Sequence, residues 1–111
     1  MFDQSITPEV EPHEAHRRMK DGAVILDVRE QDELAQASIS GALHIPLGEL
    51  HNRVEEVPQD QEVFVLCHVG QRSAMATDFL RQLGHQSVWN IRGGIIGWYR
   101  ARLPVDPPER G

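Results

Sequence analysis

The only cysteine of this 111-residue chain, Cys67, occupies a position suited to a nucleophile. It follows the apolar run Val63–Leu66, which is typical of a strand buried on both faces. A helix is predicted after it, because apolar residues recur at helical spacing as far as Leu83. A helix N-terminus carries unpaired N–H groups and a partial positive charge. A thiol held there is expected to ionise to a nucleophilic thiolate near neutral pH.

The loop after Cys67 has the residue types that an anion-binding cradle needs. Arg72 brings a permanent positive charge close to the sulfur, and Gly70 permits a tight turn that points backbone N–H groups inward. Ligands of open α/β sheets also bind beyond the carboxyl ends of strands. The alternative is that Cys67 fills space in the core, as lone cysteines often do. The glycine and arginine argue against this, because a cysteine packed for volume requires neither.

A second polar pair follows a second predicted strand. Asp27 and Arg29 come directly after the apolar run 23–26, so they hold the same kind of position as Cys67. Two structural interpretations compete with a role in a site: Asp27 caps the next helix, or it pairs with Arg29. Either one is compatible with a functional role as well.

The rest of the chain predicts strands that alternate with helices. This order implies an α/β fold, with a central parallel sheet of about five strands and helices on both faces. We expect a polar leader at residues 1–8, one domain at 9–105 and a tail at 106–111. Strands are predicted near residues 9–11, 23–26, 63–66 and 87–91, and a turn with a short strand is predicted within 40–47. Helices are predicted near 12–20, 31–37, 48–54 and 74–83, and a last helix follows the turn at 92–94.

Composition excludes several function classes. The net charge of −6, without a basic run, argues against a nucleic-acid partner. A single cysteine cannot form an internal disulfide, so a reducing compartment, the cytoplasm, is expected. No signal peptide and no membrane span are predicted, because long apolar runs are missing. We also expect no cofactor, since the sequence contains neither a phosphate-binding glycine motif nor a convincing metal cluster. The protein is expected to be a monomer.

Four motifs follow one another along the chain: Asp-Val-Arg-Glu at 27–30, Ile-Ser-Gly-Ala with His-Ile-Pro-Leu at 39–47, Cys-His-Val-Gly-Gln-Arg-Ser at 67–73, and Gly-Gly-Ile with Trp98 at 93–98. In their order and spacing they resemble the motifs of the single-domain rhodaneses, a family of sulfurtransferases. The resemblance covers about residues 10–105. One departure concerns His68, because thiosulfate-using members frequently carry a permanently charged residue at this position.

The resemblance implies a rhodanese-like fold and a two-step reaction. The Cys67 thiolate would take sulfane sulfur from thiosulfate or a persulfide, and a thiol or cyanide would then remove it. Glutathione or a thioredoxin-like protein would be such a thiol acceptor. Asp27 and Arg29 would support the loop through hydrogen bonds, and Arg72 would brace it. The substrate-binding residues would be His68, Val69, Gly70, Gln71, Arg72 and Ser73.

Two other functions remain open. Cysteine phosphatases and arsenate reductases also place a cysteine, a loop and an arginine before a helix. Their loop is one residue longer than the four residues 68–71 found here, and a shorter loop suits one sulfur atom better than a tetrahedral oxyanion. The other alternative is a rhodanese-like binding or regulatory module without turnover. Such modules often lack the cysteine that this chain contains.

Overall fold

Five strands form one parallel sheet in the order β1-β5-β4-β2-β3. The computed structural model describes residues 7–107, so residues 1–6 of the predicted leader and 108–111 of the predicted tail lie outside it. The strands are β1 Glu9–Val10, β2 Val24–Asp27, β3 Leu43–His44, β4 Val63–Leu66 and β5 Val88–Ile91. The helices are α1 Pro12–Met19, α2 Gln31–Gln36, α3 Leu47–Leu50, α4 Gln71–Gln82 and α5 Gly94–Arg100, with a 3₁₀ turn at Val54–Glu56.

The central strands separate two apolar cores, because successive side chains of a strand point to opposite faces. Val65 of β4 packs with Leu80 of α4 on one face, and its neighbour Phe64 packs with Trp98 of α5 on the other. All four side chains are fully buried, and burial of each contributes about 2 kcal/mol. The predicted parallel sheet with helices on both faces is therefore confirmed.

Helix α4 begins at Gln71, three residues before the start predicted from apolar periodicity at 74. Gly70 is its N-cap residue and has a left-handed backbone, with φ 108°. The first turn is polar, so the apolar pattern could not reveal it. Because the helix begins at Gln71, Arg72 and Ser73 belong to its first turn and not to the loop.

The helix predicted at 48–54 is wrong in its length. It ends at Leu50, and the chain continues through i to i−3 hydrogen bonds, such as the one from the Arg53 N–H to the Leu50 carbonyl. Asn52 and the β-branched Val54 have low helix propensity, which favours this tighter path.

Both ends of the described chain form backbone hydrogen bonds with distant parts of the chain. The Pro8 carbonyl accepts a hydrogen bond from the Asn90 N–H at 2.8 Å, and Asp106 forms a two-residue antiparallel bridge with Ser38. Between residues 7 and 107, no helix has the length and apolar character that crossing a bilayer requires.

Candidate active site

Cys67 lies directly after β4, and two groups that can donate hydrogen bonds lie close to its sulfur. The Gly70 N–H lies 3.0 Å from Sγ, and the Ser73 hydroxyl oxygen lies 3.2 Å from it. Cys67 is only 1% exposed, whereas His68 and Val69 are exposed on the loop above it. Both groups are placed to donate to the sulfur when it carries negative charge, and hydrogen bonds to ionised groups are stronger than those between neutral groups.

The tight turn predicted at Gly70 is confirmed. Its left-handed backbone turns its own N–H toward the sulfur of Cys67. Its carbonyl accepts hydrogen bonds from the Ala74 N–H and from the Asn90 side-chain amide, both at 3.2 Å. A residue with a side chain would be strained at this φ. The turn therefore directs the Gly70 N–H at the sulfur, while the Gly70 carbonyl accepts hydrogen bonds from Ala74 and Asn90.

The N-terminus of α5 holds the carbonyl groups of the loop away from the sulfur. The Ile95 N–H donates to the Cys67 carbonyl at 2.8 Å, and the Ile96 N–H donates to the His68 carbonyl at 3.2 Å. Gly94 permits this approach, because a Cβ at that position would lie 2.6 Å from the Cys67 carbonyl oxygen. With these carbonyls engaged on α5, the Gly70 N–H faces the sulfur.

Arg72 extends from the first turn of α4 to Glu33 in the first turn of α2. Two hydrogen bonds of 2.8 Å join the guanidinium to the carboxylate. These bonds lower the pKa of Glu33 from its ordinary value of 4.5 to about 2, and the same pair raises the pKa of Arg72. Glu33 also accepts the backbone N–H of Glu30 at 2.9 Å. The pair thus connects α2 to α4, the helix that follows the loop of residues 68–70 (the sulfur loop).

Sequence reasoning missed Glu33. The signal that indicates it is the capping-box spacing of Glu30 and Glu33. That spacing marks a helix start just beyond a strand end, at the sheet edge where Arg72 lies.

Asp27 and Arg29 form a buried ion pair at the end of β2. The Asp27 carboxylate accepts the Arg29 backbone N–H at 3.0 Å and its guanidinium Nη2 at 2.8 Å. Nη2 also donates to the Ala37 carbonyl, just beyond α2, at 2.8 Å. The interpretation as a structural pair is confirmed, and the interpretation as a helix cap is wrong because Glu30 is the N-cap residue of α2. The pair therefore positions α2, which in turn holds Arg72 through Glu33.

Asn90 is a second residue that sequence reasoning missed. It is buried in β5, and its Oδ1 accepts a short hydrogen bond from the Ser73 hydroxyl. Its Nδ2 donates to the Gly70 carbonyl and, at 3.4 Å, to Glu9. The available signal was a polar residue inside the apolar run of a buried strand, since such a residue requires partners.

A cleft of about 350 Å³ opens beside the loop. Its lining combines apolar side chains with charged and titratable ones, so it can hold a small polar molecule next to the loop. The lining residues include Arg29, Glu33, His68, Ile95 and Ile96.

The model of the rhodanese-like domain family matches residues 11–101. The chain is 37% identical over 103 residues to a sulfurtransferase of Allochromatium vinosum, and the alignment covers 91% of this chain and 96% of that protein. It is 32% identical to the thiosulfate sulfurtransferase GlpE of Haemophilus influenzae, over 88% of this chain and 93% of that protein. A rhodanese-related protein of Thermoplasma volcanium has a similar structure, with a TM-score of 0.83 and 34% identity over 88% of this chain and 96% of that one.

Proposed function

The chain belongs to the rhodanese-like family, which includes sulfurtransferases, and we propose that it transfers sulfane sulfur through a persulfide on Cys67. The observation that carries this proposal is that two groups able to donate, the Gly70 N–H and the Ser73 hydroxyl, lie within hydrogen-bonding distance of Sγ. Both lie at the N-terminus of α4, whose first-turn N–H groups have no partner within the helix. An anionic sulfur is stabilised in such surroundings.

In the first step the Cys67 thiolate attacks the outer sulfur of the donor. With thiosulfate, a bond forms between Sγ and that sulfur, the sulfur–sulfur bond of thiosulfate breaks, and its electron pair leaves with sulfite. The negative charge then lies on the outer sulfur of the persulfide. N–H groups of the segment from His68 to Ser73, which joins the loop to the first turn of α4, stabilise that charge.

In the second step a nucleophile attacks the outer sulfur, and Cys67 leaves as a thiolate. A thiolate acceptor becomes a persulfide, and cyanide becomes thiocyanate. We propose that the acceptor in the cytoplasm is a thiol such as glutathione or a thioredoxin-like protein. We assign no proton-transfer role to Asp27 or Arg29, because they pair with each other.

The state of Arg72 argues against a phosphatase or an arsenate reductase. Such an enzyme requires its arginine to bind the equatorial oxygens of a tetrahedral anion. Here the guanidinium donates twice to Glu33. A binding module without turnover would not require donors aimed at the sulfur of Cys67.

Transfer of sulfur from thiosulfate to cyanide by the purified protein tests the proposal. The wild type should form thiocyanate, and Cys67→Ser should form none while keeping its fold, since the change in volume is small. Hydrolysis of an aryl phosphate without sulfur transfer would favour a phosphatase. Thiocyanate production by Cys67→Ser would rule out the persulfide route.

A further inference from the structure

The hydroxyl of Ser73 has one proton and two acceptors within reach. Its oxygen lies 3.2 Å from Sγ of Cys67 and makes a shorter hydrogen bond to Oδ1 of Asn90. A hydroxyl donates only one hydrogen bond at a time. All three residues are at least 99% buried. The proton must therefore be directed either at the sulfur or at the amide.

The orientation of the Asn90 amide is fixed by its other neighbours. Its Nδ2 faces the Gly70 carbonyl at 3.2 Å and the Glu9 carboxylate at 3.4 Å, and both groups accept hydrogen bonds. A flipped amide would place Oδ1 against these oxygens, so Oδ1 must face Ser73. Because Oδ1 cannot donate, Ser73 is the donor in that contact.

We propose that Asn90 is a positioning residue that controls the direction of the Ser73 hydroxyl during sulfur transfer. While Cys67 is a neutral thiol, the hydroxyl donates to Asn90, and the thiol proton can be accepted by the Ser73 oxygen. When the sulfur becomes a thiolate, the hydroxyl turns to it, because an ionised acceptor is the stronger one. This rotation of the Ser73 hydroxyl leaves Oδ1 of Asn90 buried without a donor. The free-energy cost of that unpaired oxygen opposes the rotation.

The same rotation of the Ser73 hydroxyl serves both steps of the proposed reaction. This part of the inference rests on that reaction. When Cys67 leaves as a thiolate in the second step, the Ser73 hydroxyl turns to the sulfur on which charge accumulates. When the next persulfide forms, charge moves to the outer sulfur and the hydroxyl returns to Asn90. The proton stays on Ser73 throughout.

The pH profile of Cys67 alkylation by iodoacetamide tests the switch. Cys67 is the only thiol of the chain, so alkylation reports on it alone. Ser73→Ala should move the profile to higher pH by about one unit, because the thiolate loses a charge-assisted hydrogen bond. Asn90→Leu should move it to lower pH, since the hydroxyl no longer has a competing acceptor. If Asn90 only braced the loop, Asn90→Leu would move the alkylation profile to higher pH or leave it unchanged.

The double variant separates the two contacts of Asn90. If Asn90 acts through Ser73, adding Asn90→Leu to Ser73→Ala changes the profile no further. If the shift from Asn90→Leu persists without the Ser73 hydroxyl, Asn90 acts through Gly70 or Glu9, and the proposal fails.

The side-chain carbonyl ¹³C signal of Asn90 provides a measurement that leaves Asn90 intact. In the wild type it should shift as Cys67 ionises, with the midpoint of the alkylation profile, and in Ser73→Ala it should stay fixed. A signal that stays fixed in the wild type would overturn the proposal. Both readouts follow thiol ionisation and not sulfur transfer, so a protein that transferred no sulfur would still give a decisive result.

Discussion

Arg72 and Glu33 form a two-point ion pair in which both N–O distances are 2.8 Å. The pair lies between the first turns of α4 and α2, which are 39 residues apart in the chain at this contact. Since Glu33 occupies two donors of the guanidinium, Arg72 fixes the start of α4 beneath the sulfur loop. Its charge is largely neutralised before any anionic substrate arrives.

Arg72→Lys should lower the turnover number of sulfur transfer by roughly tenfold or more, equivalent to about 1.4 kcal/mol. Lysine keeps the charge but lacks the planar fork that holds both oxygens of Glu33. Cys67 should still react with small alkylating agents. The comparison variant is Arg53→Lys, because Arg53 makes a similar two-point pair with Glu56 outside the sulfur loop. Unchanged turnover in Arg72→Lys would mean that charge alone is sufficient.

Glu33→Gln should reveal a pH-dependent contribution to stability. The pKa of Glu33 is lowered from 4.5 to about 2 by the hydrogen bonds from Arg72, so the unfolded chain takes up the proton first as pH falls. The pair therefore contributes fully above pH 4.5, and its contribution is lost between pH 4.5 and about 2. Because both side chains are about one third exposed, we expect roughly 1 kcal/mol.

Urea unfolding of the wild type and of Glu33→Gln, measured from pH 7 to pH 3, checks this expectation. The difference between the two free energies of unfolding should be constant near neutral pH and should shrink in acid. A difference that does not change with pH would mean that the ion pair adds no net stability.

Local signals in the sequence predicted much of the fold and the centre of the site. Buried strands produce continuous apolar runs, and the turn at Gly70 follows from its residue type next to Cys67. Glu33 and Asn90 escaped prediction because their roles depend on contacts with Arg72 and Ser73, 39 and 17 residues away in the chain. Such pairs are decided by how the sheet edge assembles, which residue spacing alone does not encode.

The charge at residue 68 should control the use of thiosulfate as donor. The arginines at 29 and 72 are each paired with a carboxylate, so the doubly charged thiosulfate finds little uncompensated positive charge there. We expect a KM for thiosulfate on the order of millimolar, at the weak end of the usual range.

Steady-state kinetics with three variants check the charge argument. His68→Lys should lower the KM for thiosulfate at neutral pH, and His68→Ala, which adds no charge, should not lower it. His13→Lys adds the same charge at an exposed position of α1 and should leave KM unchanged. Saturation of the wild type at micromolar thiosulfate, together with no effect of His68→Lys, would contradict the argument and favour thiosulfate as the natural donor over a less charged persulfide.

Persulfide formation on Cys67 is tested most directly by the mass of the intact protein after exposure to excess thiosulfate. We expect a gain of one sulfur atom, which disappears on addition of a thiol and does not occur in Cys67→Ser. The chain has no second cysteine that could discharge the persulfide as a disulfide, so the added sulfur should persist until an acceptor is supplied. An unchanged mass, with both thiosulfate and an organic persulfide as donor, would contradict sulfur transfer through Cys67.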